Sequence, residues 1–300
     1  MNREIRWFAL ISLIIVALAL SACAPKEPEL GSAENPIIIS FVPSADAAEV
    51  LASATQITDV LSEKTGLTIT AVVPTSYVGA IEAMCNGEAA AAALNTFSYV
   101  VAHERGCADV ALASVRFGSA TYTGQIITRA DSGINSIADL AGKSFCRPDE
   151  FSTSGWIIPS ITMAANGVNP DTDLTEVIDA GGHTGVVRGV YNGDCDAGAT
   201  FVDARTNIQE EAPDVLDVVV VIATSAEIPN DTMSWATDVP TEIRDKVDAA
   251  LIEMAANPDE NAILQELYSW ESLIEVEDSF YDPFRQVLEA SGIDINKFVE

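Results

Sequence analysis

The chain has little histidine and little positive charge. His103 and His183 are its only imidazoles, and 15 Lys and Arg stand against 45 Asp and Glu in 300 residues. With two histidines and no Cys-x-x-Cys, the ligand sets of zinc-type sites are not available, and neither a metal nor a cofactor is expected. A formal net charge of −30 repels nucleic-acid backbones and excludes them as partners. The Gly-x-Ser-x-Gly elbow of many serine hydrolases is missing too. So is any apolar run long enough to cross a bilayer, because the stretch from Trp7 to Leu20 is too short.

That stretch has another use. Arg3 and Arg6 precede it, and Leu20-Ser21-Ala22-Cys23 follows it, so residues 1–22 read as an export signal. Leu-Ser-Ala-Cys resembles the bacterial lipobox, which makes Cys23 the expected lipidated N-terminus and the lipid the only membrane attachment. Removing residues 1–22 takes away Arg3, Glu4 and Arg6 and leaves the mature chain one unit more acidic. Residues 23–36, rich in Pro and small or polar side chains, are expected to be a flexible tether.

The four remaining cysteines, Cys85, Cys107, Cys146 and Cys195, form an even set in an oxidising compartment, which suggests two disulfides. Of the three pairings possible, the one expected is Cys85 with Cys107 and Cys146 with Cys195. The first ties the ends of two successive helices, and the second joins strand-like segments that a doubly wound sheet makes neighbours.

From residue 37 onward, short apolar strands alternate with helical patterns, the rhythm of parallel sheets covered on both faces. Strands are expected at Ile37 to Val42, Leu67 to Val73, Ala89 to Leu94 and Val110 to Val115, with helices between them. A second series runs from Lys143 to Ala223, with a helix expected from Ser154 to Asn166 and a single closing segment at Val215 to Ala223, and the chain beyond Ile228-Pro229-Asn230-Asp231 is expected to be mostly helical. The expected architecture is α/β with two doubly wound lobes and a hinged cleft between them. Residues 37–125 plus 226–300 form lobe 1 and residues 126–225 form lobe 2, joined near Tyr122 to Arg129 and Ala223 to Ile228. Hinged clefts of this kind suit ligand capture, and a monomer is expected.

Two loops of lobe 2 carry the chemistry. Ser152-Thr153-Ser154-Gly155 lies between a strand and a helix, where unpaired helix-terminal N–H groups and three hydroxyls converge on one point. Such a turn can hold an anion with neutral donors, and it can also be an ordinary helix cap. Ala180-Gly181-Gly182-His183 lies on the next strand-to-helix connection, with glycines for close approach and an imidazole that can donate a hydrogen bond. Together the loops point two helix N-termini at the carboxyl edge of one sheet, where ligands of open α/β sheets sit.

Asp-x-x-Ser-Thr-Ser-Gly at 149 to 155 followed by Pro159, Gly-Gly-His at 181 to 183, and Asn-Gly-Asp-Cys-Asp-Ala-Gly-Ala at 192 to 199 carry a family likeness. With Tyr77-Val78-Gly79, Tyr122 and Ile228-Pro229-Asn230-Asp231, the chain resembles the phosphonate/phosphite-binding proteins of ABC importers. The resemblance covers nearly the whole mature chain in order and implies the type II periplasmic-binding-protein fold, with an ABC permease and its ATPase as partners. It implies that Ser152, Thr153, Ser154 and His183 grip the phosphorus-bound oxygens with Gly155 in the turn, that Tyr77 and Tyr122 form the opposing wall, and that Asp203 and Asp231 lie at the far end. Those two carboxylates would hold a ligand ammonium, as in members that bind 2-aminoethylphosphonate, or accept hydrogen bonds from a protonated phosphorus oxygen. From Glu88 to Leu94 the chain is nearly all alanine where relatives often carry an acidic residue and an aromatic, so that wall is expected to be wider or drier. Two other readings share these residues: a sensor or receptor lipoprotein for the same ligand, and a hydrolase using Ser154 and His183. Three adjacent hydroxyls fit shared ligation better than one activated nucleophile, so no enzyme is expected.

Overall fold

The computed structural model describes residues 28–293 and 295–298. The export signal at 1–22, Cys23 and the first part of the expected tether lie outside the described residues. Among the described residues, no helix is long and apolar enough to cross a membrane. The end of the tether is fastened to the body. The Gly31 amide donates to the Asn35 carbonyl (2.7 Å), the Thr68 amide donates to the Gly31 carbonyl (2.7 Å), and Leu30 packs on the core. An apolar side chain at that point has core surface to cover, so the expected tether does not run on to residue 36.

Strand β1 (Ile37–Phe41) leads into helix α1 (Ala47–Thr65). Val50, Ala54, Ile57 and Leu61 bury one face of α1 at helical spacing, and Asp46 caps it by accepting from the Ala48 and Glu49 amides. Strand β2 (Ile69–Val72), helix α2 (Tyr77–Cys85), strand β3 (Ala91–Leu94), helix α3 (Thr96–Glu104) and strand β4 (Asp109–Val115) follow. The chain then enters a second series: β5 (Thr121–Arg129), β6 (Ser144–Arg147), α4 (Ile158–Ala165), β7 (Glu176–Asp179), α5 (His183–Asn192), β8 (Ala197–Phe201), the short α6 (Val215–Val218) and β9 (Val219–Pro229). It returns through β10 (Thr232–Trp235), α7 (Thr241–Ala256), α8 (Pro258–Tyr268), β11 (Ser272–Glu275) and α9 (Asp282–Ser291).

Two sheets result, ordered β11-β4-β10-β3-β1-β2 and β7-β6-β8-β5-β9. In the first, β1 lies parallel between β2 and β3, and β10 is inserted antiparallel between β3 and β4. In the second, β6 pairs parallel with β7 and β8, and β5 runs antiparallel between β8 and β9. Each sheet is thus mixed, parallel at β2-β1-β3 and at β7-β6-β8 and antiparallel elsewhere.

Three expectations shift. The C-terminal part is not only helical, because β10 and β11 add two strands to the first sheet. Both are four-residue strands beside helices, too short to show a period of two. The segments expected to join the lobes, Tyr122 to Arg129 and Ala223 to Ile228, are strands of the second sheet. The chain crosses instead at residues 116–120 and at Asn230-Asp231. There the Asn230 side-chain amide donates to the carbonyls of Ser114 (3.0 Å) and Ser119 (2.8 Å), lashing the crossings together. Finally, Val215 to Ala223 divides into a helical turn and a strand.

Both disulfides have the expected pairing, Cys85–Cys107 and Cys146–Cys195.

Candidate functional site

The turn after β6 is built around its own small residues. The Asp149 carboxylate accepts from the Phe151 amide (2.7 Å) and from the Tyr77 amide of the first lobe (3.2 Å). Ser152 caps the next turn by accepting from the Gly155 amide (3.2 Å), and its carbonyl accepts from both Trp156 and Ile157. That second bond widens Thr153–Ile157 into a π-type turn, so the regular helix begins at Ile158, four residues after the expected start at Ser154. Gly155 must be glycine: a Cβ would lie 2.3 Å from Pro148 Cδ. Ser152, Thr153 and Ser154 are each 1–2% exposed, and the Thr153 and Ser154 amides, unlike that of Gly155, have no partner within the turn.

Thr153 spans the lobes. Its hydroxyl oxygen accepts from Asn95 Nδ2 and from the Phe97 amide, both at 2.9 Å and both at the N-terminus of α3. With both lone pairs taken, the single hydroxyl proton remains to be donated.

The glycine–histidine loop closes from the same side. Gly182 sits at φ 137°, and a Cβ there would lie 2.8 Å from the Ser44 carbonyl oxygen. That carbonyl accepts from the His183 amide (2.9 Å). His183 Nδ1 is 2.8 Å from the Thr200 hydroxyl. In the tautomer where Thr200 donates to Nδ1, Nε2 carries the ring proton. Burial, with the nearby Arg116 guanidinium, pushes the His183 pKa down to about 3. The imidazole is therefore neutral at physiological pH, and in that tautomer it donates from Nε2.

These groups line one cavity of about 330 Å³ between the sheets, with Tyr77, Tyr122, Asp231, Arg116 and Asn95 on its other side. Burial raises the phenols of Tyr77 and Tyr122 well above their usual range, so both stay protonated. The Tyr77 hydroxyl is buried and without a hydrogen-bond partner among the described residues. Burial also raises the Asp231 carboxyl, against the pull of Arg116. Ala93 and Leu94 give the alanine-rich wall an apolar surface.

Seven of the nine expected ligand-binding residues line this cavity: Ser152, Thr153, Ser154, His183, Tyr77, Tyr122 and Asp231. Gly155 stands behind the turn it shapes. Asp203 is a correction: it does not line the cavity. Its carboxylate takes Arg205 in a two-point ion pair (2.6 and 2.8 Å) and Gln125 Nε2 at 3.0 Å. Burial works against ionisation there, but Arg205 and Gln125 hold the carboxyl below its usual range. A cation two residues along the chain commits the charge locally.

Arg116 was not foreseen. Its guanidinium lies 4.7 Å from the Phe201 ring centroid and 5.5 Å from that of Tyr122, with Nη1 3.5 Å from Asp231. A lone arginine after a strand is a weak signal. Its position at the carboxyl end of β4, in a chain so poor in cations, was the clue available. Asn95 was missed too, although an asparagine between strand and helix is a usual cap.

The family described as "ABC transporter, phosphonate, periplasmic substrate-binding protein" matches residues 39–281. The Phosphate-import protein PhnD of Mycolicibacterium smegmatis is 32% identical over 200 residues, which span 62% of this chain and 62% of that protein. The Phosphonates-binding periplasmic protein of Escherichia coli is 26% identical over 79% of this chain and 72% of its own length. Among solved structures, a binding protein component of an ABC phosphonate transporter from Pseudomonas aeruginosa superposes with a TM-score of 0.78 at 21% identity, over 85% of this chain and 86% of that one. Prochlorococcus marinus PhnD1 in complex with methylphosphonate superposes at 0.75 and 15% identity, over 86% and 98%. A match over that span shows the family: this chain belongs to the periplasmic substrate-binding proteins of phosphonate ABC transporters.

Proposed function

We propose that this protein captures a small phosphorus oxyanion (a phosphonate, phosphite or phosphate) outside the cytoplasm and delivers it to an ABC importer, with Cys23 as its lipid anchor and a monomer as its working form. The observation that carries the reading is the buried set of donors around one small cavity. Ser152, Thr153 and Ser154 supply hydroxyls, the turn supplies amides, His183 supplies a neutral ring N–H, and the Tyr77 phenol has no partner among the described residues. Buried donors left unpaired cost free energy, and an oxyanion with several acceptor oxygens satisfies them together. The lobes touch through Asn95, Phe97 and Ser44, so ligand and closure reinforce each other.

Nothing in the arrangement asks for a reaction. Ser154 has neutral His183 nearby, but the imidazole is oriented by a threonine hydroxyl and not by a carboxylate. A thermal-shift panel of methylphosphonate, 2-aminoethylphosphonate, phosphite, phosphate and sulfate tests the reading. At about a hundred times its dissociation constant a ligand adds roughly 2.7 kcal/mol of stability. At least one phosphorus oxyanion should raise Tm clearly while sulfate does not. No shift with any of them, or a shift with sulfate alone, overturns the proposal.

A further inference from the structure

We infer that Arg116 is a specificity-determining residue: it contributes a fixed positive charge to a compact oxyanion and engages Asp231, so the cavity favours ligands without a cationic substituent. This rests on the reading of the cavity as a phosphorus-oxyanion site. Arg116 is 6% exposed, and its Nε is buried without a hydrogen-bond partner among the described residues. Its contact with Asp231, at 3.5 Å, is long for a charge-assisted hydrogen bond. The Phe201 and Tyr122 rings fix the guanidinium plane but neutralise none of its charge. A buried, loosely paired guanidinium is a destabilising element unless an anion joins it.

The same geometry removes the means of holding an amine. An ammonium takes two well-placed carboxylates or one that is free. Asp203 is bound to Arg205 and Gln125 away from the cavity. Asp231 already faces Arg116, so an ammonium docked on it would meet a like charge at short range with little water between. Glu49 and Glu266 also line the cavity, but both are exposed, where an ion pair is worth little.

The test is calorimetric titration of the wild type, Arg116→Met and Arg116→Lys with methylphosphonate and with 2-aminoethylphosphonate. The wild type should bind methylphosphonate roughly tenfold or more tightly than the amine-bearing ligand, and Arg116→Lys should keep that order. Arg116→Met should lose roughly tenfold or more for methylphosphonate, the scale of one hydrogen bond to a charged group, and should reverse the preference because Asp231 becomes free. Should Arg116→Met not fold, Arg116→Met with Asp231→Asn removes the stranded charge. That variant should bind both ligands weakly and without preference, and wild-type affinity in it would overturn the inference. Equal binding of both ligands by the wild type, or equal losses in Arg116→Met, overturns the inference and leaves the proposed function standing. If the wild type binds none of the phosphorus oxyanions, the proposed function falls and the inference with it.

Discussion

His183 is held as a neutral donor by its surroundings, and that has a consequence for stability. Its pKa is pushed from 6.5 to about 3 by burial, with Arg116 adding to the effect. In the unfolded chain it takes a proton near pH 6.5, and in the ligand-free fold it does not until far lower. The unfolded state therefore binds more protons between these limits, and the contribution of His183 to stability is complete above about pH 6.5 and lost as pH falls. Each pH unit below that point costs up to about 1.4 kcal/mol. His183→Gln keeps a neutral donor and removes the titration. Ligand-free melts of the two proteins from pH 7 to pH 4 should show the wild type losing stability faster, and parallel curves would contradict the burial argument. A bound oxyanion should oppose the loss by favouring the imidazolium.

At the scale of elements, the two loops after β6 and β7 do different work. The Ser152 turn supplies donors, whereas the Gly182 loop sets how closely the second lobe approaches Ser44 and Ala45. A methyl group at Gly182 would lie 2.8 Å from the Ser44 carbonyl oxygen and 2.9 Å from Ala45 Cα. The positive φ of Gly182 adds backbone strain. Gly182→Ala should therefore weaken ligand binding roughly tenfold or more, the effect of about 1.4 kcal/mol. The far-UV spectrum should be unchanged, because the loop lies outside both sheets. Unaltered affinity would mean that this contact is not part of the binding form.

The same elements separate what was legible in the sequence from what was not. The Ser152 turn and the Gly-Gly-His loop were legible because each is local: donors, cap and glycines lie within a few residues, and chain order places both on one sheet edge. Arg116 and Asp203 were not, because their roles depend on partners that only the fold supplies. Arg116 becomes a cavity residue because the crossing after β4 packs beside the crossing into β10. Asp203 leaves the cavity because Arg205 and Gln125 reach it first. Strands β10 and β11 were hidden because each is only four residues long and pairs with β3 or β4, far earlier in the chain and on the other side of the whole second series. The displaced lobe boundary has a related cause: Tyr122 to Arg129 and Ala223 to Ile228 were expected to join the lobes, but β5 pairs with β8 and β9 pairs with β5, and such pairing is set by the fold and not by either segment alone.

The whole molecule pairs an acidic surface with a cavity that offers donors. A formal net charge of −30 over the full sequence gives an anion no general attraction, so in the proposed function recognition falls to the buried set between the lobes. Thr153 sits at their junction. It is tied to α3 through Asn95 and Phe97, while its proton remains for the ligand. In the proposed function, capture and closure thus share one residue. The most direct test is a crystal structure of the protein with methylphosphonate. The account places the phosphorus inside the cavity, its oxygens about 2.7–3.2 Å from the Ser154 hydroxyl, the His183 ring and the Arg116 guanidinium. Methylphosphonate seated elsewhere, or turned so that its oxygens face away from the serine turn, would contradict it.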